Sequence, residues 1–479
     1  MSPLWVIDQG AHAIMSEMRF LFIAALFALP GLAADTMPPG ADQRLAHDIY
    51  KEIVEIKSGY TTGATTPVAE AIATRLKAEG FPDADIFVGG TIPTKANIVV
   101  RYHGTGNRKP ILLLAHTDVV EAKGEDWSMD PFVLHEQGGY FYGRGTTDDK
   151  AQAAVWIANL IRYKHEGFKP DRDIIVALTA DEEGGGPYNG VVWLLKTHRD
   201  LIDADLCLNE GGFGEEMNGK KRANELQPSE KYVINFRVEV HNKGGHSSMP
   251  VPDNAIYHLA GALERLSEFG FPMKTSEITR AYFEGAANAQ TGSIREDLAR
   301  IAQGSQEAMA HVTADSPLWN SMLRTTCVAT QLEGGHAMNA LPQLAAATVN
   351  CRVLPEDSVE YVEETLKKVF NDKQVEMKII GEVSRGPASP LNPALMKTVT
   401  RVTDSIWPNV PVLPVMLVGA TDGRFLRSAG IPTYGVQGFF IDINDFRMHG
   451  RDERMSIKSF YEGQTFLYEL VKALSSPGA

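Results

Sequence analysis

Residues 111–120 read ILLLAHTDVV. The unbroken apolar run from Ile111 to Ala115 shows no polar alternation, which is how a strand buried on both faces of a parallel sheet reads. The run ends on His116 and Asp118, two residues apart and therefore pointing the same way on a strand. Three more stretches have the same form: NIVVRYHG at 97–104, DIIVALTADEE at 173–183 and ADLCLNEGG at 204–212. Helical periodicity lies around and between them, over 41–57, 66–80, 149–165 and 187–199. In the first of these, Leu45, Ile49, Ile53 and Ile56 recur near helical spacing. Buried strands separated by helices predict an α/β fold with parallel elements. The polar residues gather at the strands' C-terminal ends, where open α/β sheets place their sites.

The pattern changes near residue 231. Ile234, Phe236, Val238 and Val240 alternate with Asn235, Arg237 and Glu239, so this strand is half-exposed. It offers an edge through which two copies could pair. A helix follows at 253–268, then strands TTCVATQLEGG (325–335) and LAAATVNCRVLP (344–355), a helix at 357–371 and the strand VEMKII (375–380). This β-α-β-β-α-β order is a split βαβ layer, interrupted at 270–322 by a mostly helical insertion. From about 386 the α/β character returns and ends in a helix at 456–474. The expected organisation is a catalytic domain in two parts, 35–230 and 383–479, split by an inserted α+β domain at 231–382. No internal repeat or low-complexity stretch interrupts it.

The 479 residues exceed one ordinary core. Hydrophobic content of 44% and charged content of 22% are those of a globular protein. A formal charge of -14 argues against a nucleic-acid-binding surface. Residues 1–34 read as an export signal with an over-called start: Arg19 precedes the apolar run Phe20 to Leu32, and Gly31 and Ala33 offer small residues for cleavage. The run is too short for a comfortable span, and no other stretch resembles one. The location expected is periplasmic or secreted, with no stable membrane span after signal removal. Cys207, Cys327 and Cys351 lie in apolar runs and are read as buried small hydrophobes without a disulfide framework.

Five candidate metal ligands stand at predicted strand ends and loops. They are His116, Asp148 in GRGTTDDK, Glu183 in DEEGGG, Glu210 in LCLNEGG and His449 in FRMHGRDER. Two imidazoles and three carboxylates suit a pair of divalent ions, zinc first, with cobalt or manganese as substitutes. Two close cations repel, so a bridging carboxylate is required. Asp148 fits that place, leaving Asp149 to serve the following helix as its N-cap. Asp118 is expected to orient the imidazole of His116. Glu182 stands beside a ligand with no structural task and can move a proton. Taken singly, each motif could be a polar strand end, a helix cap or a solvated acidic turn.

Together, and in this order, these motifs resemble the co-catalytic zinc metallopeptidases that include aminoacylases, carboxypeptidase G, carboxypeptidase S, carnosinases and succinyl-diaminopimelate desuccinylase. The resemblance covers residues 40–475. It implies a zinc-peptidase-like mixed sheet with flanking helices, and an inserted domain serving as lid and dimerisation surface. It implies one zinc on His116, Asp148 and Glu210 and a second on Asp148, Glu183 and His449, with Glu182 as general base and acid. It also implies a cis peptide at Asp148–Asp149. His246 in GGHSSMP, Asn339 in GGHAMNALP and Arg352 match lid residues that meet the scissile carbonyl or the substrate carboxylate, and Arg424 in GATDGRFLR matches a second carboxylate ligand. His241, His258, Arg324 and His336 are read as structural. Glutamate at 210 is similar to aminoacylase and carboxypeptidase S, whereas the desuccinylase and carboxypeptidase G have aspartate there.

The activity expected is hydrolysis of an amide next to an amino acid with a free carboxylate, in a small peptide or, alternatively, an N-acyl amino acid. A homodimer, with His246 acting across it, is the expected assembly. A phosphoesterase would want a basic clamp, which the scattered arginines do not form. A non-catalytic metal- or solute-binding protein would not need Glu182.

Overall fold

The computed structural model describes residues 36–476; the expected signal at 1–34 lies outside them. The apolar run from Ile111 forms the strand Ile111–His116, buried at every position. It pairs in parallel with Ile174–Thr179 on one side and Leu206–Asn209 on the other. Ala96–Tyr102 and Ile86–Gly90 extend this sheet antiparallel on the Ile174 side, and Thr433–Gly435 joins Leu206–Asn209 in parallel. Lys220–Glu230, Gly214–Met217, Phe440–Asp442 and Val412–Leu417 complete a ten-stranded mixed sheet. The helix Lys150–His165 is buried almost throughout. It packs with Gly40–Glu55 and Ile457–Leu474 in the main core. This is the α/β architecture that buried runs between helices predict.

The segment from 232 to 380 forms a separate four-stranded antiparallel sheet, in the order Thr326–Gly334, Leu344–Val353, Tyr232–His241, Val375–Ile380. Helices Ala255–Glu268 and Val359–Phe370 cover one face. The other face is polar, with Arg237 bridging Glu239 and Glu333.

Two sequence expectations are corrected. Tyr232–His241 is not an edge: it is bonded on both sides, so its alternation reflects one polar sheet face, and the edges belong to Thr326–Gly334 and Val375–Ile380. Period-two alternation reports which face is wet and cannot report how many neighbours a strand has. Cys327 and Cys351 are not two free thiols. They face each other in the register of Thr326–Gly334 and Leu344–Val353 and form a disulfide; Cys207 alone is free and buried. The helical insertion forms Glu277–Asn288, Gly292–Ala302, Gln306–Asp315 and Pro317–Leu323. It packs on the large sheet. Ile278, Tyr282, Phe283 and Met322 share a core with Leu413, Val415 and Met416. A Cβ on Gly285 would stand 2.4 Å from Leu413 Cδ2, so glycine permits the close approach of this helix to Val412–Leu417. Among the described residues, no helix is long and apolar enough to cross a membrane.

Candidate metal centre

Neighbouring parallel strands end side by side, so their first loop residues converge. His116 closes its strand and is 3% exposed. Glu182 and Glu183 follow Ile174–Thr179, and Glu210 follows Leu206–Asn209. Asp148 precedes the helix Lys150–His165, and the bond Asp148–Asp149 is cis. His449 arrives from the far end of the chain in the loop before Arg454–Ser456.

Two groups of ligand atoms result, sharing Asp148. His116, Asp148 and Glu210 form one; Asp148, Glu183 and His449 form the other. His116 Nε2 lies 2.9 Å from Asp148 Oδ1 and 3.8 Å from Glu210 Oε2. His449 Nε2 lies 3.0 Å from both Asp148 Oδ2 and Glu183 Oε1. Glu183 Oε1 is buried with no donor aligned to it. Ligand atoms about 2 Å from an ion sit roughly 3–4 Å from one another, and these spacings fall in that range. Several acceptors aimed at one point inside a protein are costly without cations. The residues present therefore fit a dinuclear centre.

The surrounding bonds fix these side chains. His116 Nδ1 is 3.0 Å from the backbone carbonyl of Asp118, which leaves Nε2 to face the group. The carboxylate of Asp118 is differently employed from the expectation. It accepts the backbone N–H of Glu182 at 3.1 Å and of Glu183 at 3.0 Å, and stands 3.7 Å from the imidazole. Asp118 thus holds the loop that carries both glutamates. Asp149 also departs from its expected task. It occupies the N-cap position without capping the helix with its side chain, and accepts from Gln437 Nε2 at 3.1 Å instead.

Two further acids were not singled out in the sequence although both lie in quoted motifs. Glu453, four residues after His449, accepts the N–H groups of Gly145, Thr147 and Asp148 at 3.1, 2.7 and 3.1 Å, and pairs with Arg144 at 2.7 Å. It binds the Asp148 loop to the His449 loop. Asp422 accepts from Asn189 Nδ2 at 2.6 Å and is buried beside Glu182. A run of acids near a ligand was the available signal, but sequence spacing cannot tell a ligand from the residue that braces it.

Burial, and next the charge of Asp422, push the Glu182 carboxyl well above the ordinary range, against the lowering by His116 and Arg424. Glu182 belongs to neither ligand group, and Arg424 Nη1 is 3.7 Å from its Oε1. Arg352, on Leu344–Val353, is lowered by burial and then by Arg424, so the two guanidiniums approach the same region. The remaining pair is set apart. His246 and Asn339 come together, since His246 pairs with Ala340 and Ser247 N–H donates to Asn339 O at 3.0 Å. Both are exposed, and the His246 ring bonds to Ser248, not to the metal-ligand residues.

The pattern of peptidase family M20/M25/M40 matches residues 112–473. Human N-fatty-acyl-amino acid synthase/hydrolase PM20D1 is 29% identical over 372 residues, covering 76% of this chain and 74% of the relative. "Probable carboxypeptidase S-like 2" of Dictyostelium discoideum is 29% identical over 410 residues, covering 82% and 77%. Among solved structures, an M20 family metallo-carboxypeptidase of Sulfolobus solfataricus superposes with a TM-score of 0.67 at 17% identity, covering 89% of this chain and 98% of that one.

Proposed function

Because the chain belongs to peptidase family M20/M25/M40 and is a metallohydrolase of that family, we propose that it cleaves the amide bond on the amino side of an amino acid with a free carboxylate. We assign one zinc to His116, Asp148 and Glu210, and a second to Asp148, Glu183 and His449, with cobalt or manganese as substitutes. When bound, such a pair supplies Lewis acidity and lowers the pKa of water. Glu182 takes the proton of the attacking water and returns it to the leaving amine. Arg424 and Arg352 hold the substrate carboxylate, for which a guanidinium fork is the matching donor. His246 donates to the oxygen that gains charge as the carbonyl is attacked. What favours hydrolysis over metal storage is Glu182, a carboxyl only 10% exposed, beside both ligand groups and a member of neither.

A free-acid dipeptide and its C-terminal amide test the carboxylate assignment on metal-loaded protein. A charge-assisted hydrogen bond contributes about 1.5–3 kcal/mol, so kcat/KM should favour the acid by about 10-fold to 150-fold. Equal values would remove Arg352 and Arg424 from the substrate site. A second reading, in which an apolar acyl group replaces the aminoacyl part, is favoured by an apolar cavity of about 210 Å³ that begins a few residues from three site loops.

His246 makes its ring contacts away from the ligand groups, so it serves the reaction only if the smaller layer closes or a second copy supplies it. We propose the second arrangement, a homodimer working in trans. Inactive His246→Ala protein mixed with inactive Glu182→Gln protein should then recover activity, because one hybrid site holds both residues. Subunit exchange without recovery would leave closure within one chain.

A further inference from the structure

Where the small sheet meets the helical insertion, a pocket of about 200 Å³ opens between three elements. Leu266, Phe269 and Phe271 line it from the end of Ala255–Glu268, Asn320 from Pro317–Leu323, and Thr326 from the start of Thr326–Gly334. The half-buried Arg324 completes the wall. Among the described residues its side chain forms no ion pair or hydrogen bond, and its Nε is cut off from solvent without an acceptor. Burial alone lowers the pKa of this guanidinium, and no neighbouring acid opposes the shift. A Cβ on Gly270 would run into Arg324 Nη1, so glycine is what lets the guanidinium lie there. A charged donor shut off from water without an acceptor is costly, and the partner that matches a guanidinium fork is an oxyanion.

The other polar groups of the pocket can donate as well. The carboxamide of Asn320 bonds to nothing among the described residues. Thr326 Oγ1 accepts from Lys231 Nζ at 3.4 Å, which leaves its own O–H free to donate. Lys231 is wholly buried, and its Nζ also donates to the backbone O of Arg324 at 2.8 Å. The acid that acts on Lys231, Asp357, already accepts from Thr325 Oγ1 at 2.6 Å and pairs with Lys274. The pocket therefore gathers positive charge and free donors without an anion of its own. Leu266, Phe269 and Phe271 give it an apolar side.

We propose that this pocket binds a small carboxylate anion carrying a short apolar group, at a site separate from the metal centre. The carboxylate pairs with the guanidinium of Arg324 and accepts from Thr326 Oγ1 and the Asn320 amide. The hydrocarbon part lies against Leu266, Phe269 and Phe271. None of the residues assigned to metal or substrate lines the pocket, so the inference stands apart from the amide-hydrolysis reading. Arg324 also supplies the carbonyl that holds Lys231, the residue between Lys220–Glu230 of the large sheet and Tyr232–His241 of the small one. An occupied pocket thus ties the insertion and the small sheet together beside the crossing between the two sheets, and an anion bound only by the folded chain stabilises it.

The test is calorimetric titration of the metal-loaded full chain with sodium isovalerate, acetate and phosphate at about 0.15 M salt, where surface attraction is screened. One isovalerate per chain should bind outside the metal centre and raise Tm in a concentration-dependent way, with an affinity above that of acetate by up to about fourfold per added carbon. Arg324→Gln should weaken this binding by about 10-fold to 150-fold, the range of a charge-assisted hydrogen bond. Gly270→Ala should weaken it too while keeping the charge, and it stays folded because only the end of a flexible side chain has to move. Arg424→Gln, or removal of metal with chelator, should leave it in place, which separates it from carboxylate held at the metal centre. No binding, binding that disappears with the metal or with Arg424→Gln, or binding intact in both pocket variants would overturn the site. Acetate or phosphate held as tightly as isovalerate would overturn the choice of a carboxylate with an apolar group.

Discussion

Glu182→Gln retains two metal ions per chain and loses about 100-fold to 10,000-fold in kcat, the range that a positioned proton-transfer group contributes. The substitution keeps the shape of the side chain and removes its ability to accept a proton. The 3.7 Å ion pair with Arg424 is lost, but the backbone tether of residue 182 is not. Its backbone N–H still donates to Asp118 Oδ1 at 3.1 Å, and neither ligand group includes its side chain. KM should change far less than kcat, since the lost interaction belongs to the transition state. Metal analysis on the same sample separates this result from a damaged site. A variant that turns over near the wild-type rate would move the base elsewhere, and Asp422 would be the next carboxyl to examine.

Asp148→Ala should be as severe for a different reason. Asp148 is the shared member of both ligand groups, with one oxygen 2.9 Å from His116 Nε2 and the other 3.0 Å from His449 Nε2. Its loss leaves two incomplete sites and removes the negative charge between two cations that would otherwise repel. Metal content should fall below two ions per chain. Activity should fall by on the order of 1,000-fold, since the ions supply several kcal/mol and each 1.36 kcal/mol is tenfold. Chelator-treated wild-type protein should show the same loss, together with a lower Tm that added metal restores in a concentration-dependent way. A fold check is available from the sheet that carries the disulfide, which contains none of these ligands. Two ions and full activity in Asp148→Ala would refute the shared-ligand assignment.

Contiguous residues were enough to predict the α/β class and the gathering of candidate ligands at strand ends. The run at 111–115 is apolar without alternation because both faces of that strand are covered, and this is written in its own residues. The same holds for the acids that follow each buried strand, since a strand's C-terminal end is a local position. His449, more than 300 residues from His116, could be placed only through a resemblance, because no local period links them.

Other features depend on which segments meet. The alternation at 232–241 marks a polar face equally well on an edge or an interior strand, and only the pairing with Val375–Ile380 makes it interior. Cys327 and Cys351 looked like separate apolar residues until the register set them opposite each other. Asp118, Asp422 and Glu453 are acids whose sequence surroundings match those of ligands; their roles come from the N–H groups and amides that distant loops bring to them. The insertion read as mostly helical in the sequence, but not as a cover for Val412–Leu417. Periodicity and strand-end chemistry are properties of neighbours in the chain and survive in the sequence alone. Neighbours across a sheet, the partner of a buried carboxylate and the occupant of an apolar face are set by long-range packing, which depends on all the segments folding together.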